Sequence, residues 1–92
     1  MQMNAHRVDD NAHAIRKPIP DPWIHLAWIT AGATPLKAWR HAADLTPQEL
    51  ATMAGISTAL LTRLENRLQP MTVTQRLRFA RLLGVSEGDL TE

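Results

Sequence analysis

The chain has 92 residues, 45% of them apolar, enough for one small hydrophobic core and little more. It lacks cysteine, which excludes disulfide staples and thiolate metal sites and fits a reducing, cytoplasmic setting. Its net charge is only +1, yet Arg63, Arg67, Arg76, Arg78 and Arg81 lie between residues 61 and 83 against the single acid Glu65, a distribution compatible with an anionic partner.

The predicted elements follow a tail. Residues 1–20 show no sustained period and run into KPIPDP (17–22), where Pro18, Pro20 and Pro22 favour extended or turn backbone, so a flexible tail is expected. The start MQMNAHRVDD has no charged leader followed by an apolar core. The longest apolar stretch, WIHLAWITAGA, is interrupted by His25 and Thr30 and is too short to span a bilayer, so neither export nor membrane insertion is expected.

Asp21 reads as an N-cap and Pro22 as the first helical residue of an extra helix within residues 21–33, which Gly32 can end. Trp23, Ile24, Ala27 and Trp28 recur there at helical spacing. Two indoles so close need cover from the domain or from another chain, so Trp23 and Trp28 mark a possible partner surface, with Trp28 the more buried. Thr34–Pro35 opens the next helix, LKAWRHAA, whose face is Leu36, Trp39 and Ala43, with Trp39 expected in the core.

Leu45-Thr46-Pro47-Gln48-Glu49-Leu50 is a complete N-terminal signature: Thr46 caps, Glu49 returns the hydrogen bond, and Leu45 and Leu50 form the staple. Gly55 ends this helix where left-handed backbone is least costly. Ser57 caps the next at once, with Ile56 and Leu61 as its staple. A further start at Thr72 and Gln75 carries a predicted stripe of Val73, Leu77, Ala80 and Leu83, and Ser86 with Asp89 opens the last helix. No segment alternates over a strand's length. The expected fold is all-α: five short helices over residues 34–92, with the extra N-terminal helix before them. None is long enough to be stable alone, so they must share one core.

Two helices joined at Gly55 by a turn of three or four residues form a helix-turn-helix arrangement. A major groove about 12 Å wide admits one helix while the preceding one braces it. Leu60, Leu61 and Leu64 account for the inner side of the second helix, leaving Thr58, Ala59, Thr62 and Arg63 outside.

From Leu36 to Leu90 the sequence resembles the Cro/repressor-type helix-turn-helix domain, the XRE-like family of bacterial and phage transcription regulators. The resemblance rests on Leu36-x-x-x-Arg40, Leu45-Thr46-x-Gln48-Glu49-Leu50-Ala51, Gly55-Ile56-Ser57, Leu61-Thr62-Arg63-Leu64-Glu65, and Ala80-x-x-Leu83-Gly84-Val85 with Leu90. It implies that residues 57–66 enter the major groove, with Thr58, Ala59, Thr62 and Arg63 facing bases. It also implies backbone contacts from Arg40, Thr46, Gln48, Ser57, Asn66 and Arg67, with an internal pair to Glu65 as the alternative for Arg40.

Three departures bear on specificity. Pro47 stands where relatives often have Gln, with Gln48 one position later. Thr58 and Ala59 can meet thymine methyl groups but cannot make the bidentate pairs that distinguish adenine or guanine, a capacity only Arg63 retains. Arg67 occupies the family's glycine after the recognition helix, so either the loop differs or left-handed strain is tolerated. Arg76 stands at a usually apolar position, which favours a rearranged helix start with Arg76 exposed; Arg78 and Arg81 are expected on a distant, solvated face.

His6, His13, His25 and His41 lack metal-ligand spacing, and Gly32 with Lys37 is not a phosphate loop. No enzyme, cofactor, metal or small-molecule ligand is indicated. The expected partner is double-stranded DNA, bound by a transcription regulator of modest specificity that acts as a homodimer or with further domains. The alternatives are a protein-interaction module on the same scaffold and an antitoxin-type autoregulator.

Overall fold

The computed structural model describes residues 19–92, so all of the expected tail except Ile19 and Pro20 lies outside the described residues. The described chain is all-helical: α1 (Pro22–Thr30), α2 (Pro35–Ala42), α3 (Pro47–Ala54), α4 (Thr58–Glu65), α5 (Val73–Leu83) and a closing 3-10 turn, Glu87–Leu90. The last expected helix is thus a single turn.

The starts are set locally. Asp21, Thr34, Thr46, Ser57, Thr72 and Ser86 each hold extended backbone and accept a first-turn N–H, satisfying a donor that the helix itself cannot. Thr46 with Glu49, Thr72 with Gln75 and Ser86 with Asp89 are full capping boxes. Gly55 ends α3 at φ 71°. Arg67 adopts a φ of 59°, so at this position the strain is tolerated, at roughly 1 kcal/mol.

The core is Leu36 from α2, Leu50, Ala51 and Ala54 from α3, Leu61 and Leu64 from α4, Phe79, Ala80 and Leu83 from α5, and Leu90. Leu50 and Leu61 are its fully enclosed staple residues, with Leu45 and Ile56 packed partly buried against it. On α5 the expected stripe is rotated. Phe79, Ala80 and Leu83 face inward, whereas Val73 and Leu77 are exposed. Nor is Arg76 exposed, and the Thr72 box fixes the start of the helix. Arg76 is half-buried at the inward position one turn before Phe79 and Ala80, and its Nε donates to Glu87 Oε2 at 3.0 Å. The aliphatic stem fills an apolar residue's place while Glu87 answers the charge. Arg78 and Arg81 are exposed.

α1 and α2 form a helical hairpin closed by the Asp21 N–H donating to the Ala42 carbonyl at 2.9 Å. Its seam is two reciprocal ring stacks: His25 on Trp39 and Trp28 on His41, each with centroids 3.7 Å apart. Trp39 is therefore not the core residue expected. It is half-buried between the core and α1, and its Nε1 donates to the Asp89 carbonyl at 3.2 Å. Trp28 is half-buried and Trp23 exposed.

Burial lowers the His41 pKa below the ordinary imidazole value; Arg40 lowers it further, Glu65 opposes, and Lys37 adds to the lowering. An unfolded chain takes up this proton near pH 6.5, whereas the folded chain resists it. Stability present above about pH 6.5 is therefore lost as pH falls towards the lowered folded value. The urea midpoint is expected to drop on acidification in the wild type and to drop less in His41→Phe, which keeps a ring against Trp28. Equal acid sensitivity in both would place the effect on other groups.

Candidate nucleic-acid interface

α3 and α4 are joined by Gly55, Ile56 and Ser57, with the Ile56 N–H returning to the Ala51 carbonyl at 3.0 Å. On α4, Leu61, Leu64 and Glu65 are buried and Leu60 half-buried, while Thr58, Ala59, Thr62 and Arg63 form one exposed side. The four expected base readers are thus brought together. Thr62 Oγ1 donates to the Thr58 carbonyl at 3.0 Å, so its only hydroxyl proton is used within the helix. It offers outward a methyl and a lone pair. Arg63 is the long donor of the group.

Around this side lie groups suited to phosphate. Ser57 Oγ accepts from the Leu60 N–H at 3.1 Å, leaving its own hydroxyl proton to donate elsewhere. The N–H groups of Thr58 and Ala59, in the first turn, have no partner within the helix and make its N-terminus attractive to an anion. Thr46 and Gln48 are exposed at the start of α3. Pro47 beside them has no N–H to give. Asn66, just past α4, is exposed. Arg67 is held by Glu92, its Nε donating at 2.7 Å, but both side chains are about half exposed. Such a pair is worth at most about 1 kcal/mol, so a phosphate can compete with Glu92 for it.

Arg40 does not belong to this set. It is 4% exposed, and Glu65, 6% exposed, takes both Nε at 2.6 Å and Nη2 at 3.1 Å. Nη1 donates to the Leu45 carbonyl at 2.9 Å. Its guanidinium is committed on all three nitrogens inside the protein, so the expected phosphate contact is replaced by the internal pair with Glu65. Arg40 ties α2 to the end of α4 and so orients the exposed helix.

Residues 33–92 match the family model described as a helix-turn-helix domain. The chain belongs to the helix-turn-helix domain family. No curated protein and no solved structure matches it significantly.

Membership makes this a DNA-binding fold, and the helix-turn-helix domain carries two features that sequence reasoning missed. Thr34 does more than cap α2: its buried hydroxyl donates to the Glu65 carbonyl at 2.9 Å, a second tie on the end of α4. Lys37 lines a cleft of about 260 Å³ with Asn66 and Arg67, which places another cation beside the end of α4. Lys37 lies one turn before Arg40, but only folding brings it to residues some thirty positions later.

Proposed function

We propose that this helix-turn-helix domain is a transcription regulator of the Cro/repressor, XRE-like type that places residues 57–66 in the major groove of double-stranded DNA. The observation that carries the reading is α4 itself, a helix bound to the core by Leu61, Leu64 and Glu65 while Thr58, Ala59, Thr62 and Arg63 are presented together. Thr46, Gln48, Ser57, Asn66 and Arg67 would meet the sugar-phosphate backbone, with Lys37 joining them. Phosphate contacts supply affinity and register, and base edges supply the sequence preference. With one long donor among the base-facing residues, specificity of a single domain is modest. The apolar outer side of α1 favours a protein contact in addition to DNA binding, because it lies on a separate element.

Titrating the labelled protein with short duplexes tests this. Amide shifts are expected at residues 46, 48, 57–63 and 66, and replacing operator thymines by uracil should weaken binding wherever Thr58 or Ala59 meets a methyl group. Shifts confined to α1, or none at moderate salt, would remove DNA as the partner of α4.

A further inference from the structure

α1 is apolar on two opposite sides. One side, His25, Trp28 and Ile29, is half-buried against α2, and no residue of the helix is fully buried. The other carries Trp23, Leu26, Ala27 and Thr30, all exposed, at the i, i+3, i+4, i+7 spacing of a helix-packing seam. Trp23 is 76% exposed, Leu26 52%, and the neighbouring Ile19 79%. No Asp, Glu, Lys or Arg lies between Asp21 and Lys37, so this face offers no formal charge with which a charged partner could pair.

We propose that a second copy of this chain docks on the outer face of α1, through an antiparallel helix pair on a two-fold axis near Ala27. The face is self-complementary in that arrangement. Its bulk is at one end, in Trp23, and small residues, Ala27 and Thr30, occupy the middle and the other end. An antiparallel copy therefore sets Trp23 over Thr30 of the partner subunit and lets the backbones approach at Ala27. An isologous contact of this kind requires one patch to fit itself.

Large side chains exposed to this degree leave several hundred Å² of apolar surface. That is the scale of the largest patch on a typical monomer, about 300–600 Å², and a large part of the roughly 800 Å² that each partner buries in a stable complex. A second apolar surface among the described residues, a groove of about 400 Å³ lined by Met53, Leu77 and Leu82, is flanked by Arg78 and Arg81. A two-fold contact there would bring like charges together. The α1 pairing carries no such repulsion and would join two recognition helices into one assembly, as binding to two half-sites requires.

Sedimentation of the full chain without DNA tests the pairing independently of any DNA reading. The wild-type mass is expected to rise towards twice the monomer's across the micromolar range, and Trp23→Glu combined with Leu26→Glu should weaken dimerisation by more than about tenfold. Trp23→Glu suits the first turn of a helix, so the melt of the dilute monomer should not move. Because the chain has no cysteine, Ala27→Cys should oxidise to a cross-linked dimer, whereas Thr74→Cys, beside the α5 groove, should not. A wild-type monomer at every concentration, a dimer indifferent to the double substitution, or cross-linking through Thr74→Cys instead of Ala27→Cys would overturn the proposal.

Discussion

Glu65→Ala is expected to destabilise the domain by about 3–5 kcal/mol, because it leaves the buried Arg40 guanidinium without its counter-charge. Of the contacts holding that guanidinium to residues outside α2, only the Leu45 carbonyl would remain. Against a total stability of roughly 5–15 kcal/mol for a domain, such a loss brings the chain close to unfolding. The Thr34 hydroxyl bonds the Glu65 backbone, not its side chain, so that tie survives and the loss reports on the ion pair. Replacing both partners, Arg40→Met with Glu65→Leu, removes the charge and its answer together and is expected to be far milder. Urea denaturation of the three proteins checks the series. A single-substitution loss under about 1 kcal/mol would mean that water reaches the pair in solution. The double variant also separates the two roles weighed for Arg40: retained DNA affinity is expected, since a guanidinium enclosed in the protein has no phosphate contact to lose.

Arg63→Ala should reduce binding to the preferred duplex by roughly 1–3 kcal/mol and flatten base preference at one position. Three features concentrate the effect on this residue. Thr58 and Ala59 are short, Thr62 uses its hydroxyl proton on the Thr58 carbonyl, and Arg63 projects from the exposed side of α4. Arg63→Lys keeps the charge but loses the planar fork, so it should retain affinity for random duplexes better than base discrimination. Fluorescence anisotropy on preferred and scrambled duplexes distinguishes the outcomes. Equal losses on both would reduce Arg63 to a phosphate contact.

Where each helix begins was legible in the sequence, since a cap, its third-position partner and a following proline all act within about four residues. The same locality made the α3–turn–α4 arrangement and the exposed set of Thr58, Ala59, Thr62 and Arg63 readable: Gly55 and Ser57 fix the break, and Leu61 with Leu64 fixes which side turns inward. The inner face of α5 was not legible. Val73, Leu77, Ala80 and Leu83 make a helical stripe of their own, but the core closed on Phe79, one of its largest fully buried side chains, and left Arg76 paired with Glu87 at the edge. Arg40 had two chemically reasonable partners, a phosphate and a carboxylate, and the packing of α2 against α4 brought Glu65 to it. Trp39 had the size and spacing of a core residue, but His25 from α1 and the Asp89 carbonyl hold it at the core's edge. α1 is the limiting case, because a helix apolar on both sides contains no internal signal for which one is buried. Short-range hydrogen bonds and hydrophobic periodicity thus determined the elements and their order, whereas rotations, pairings and the free face of α1 were decided by groups distant in sequence that meet only when the core closes.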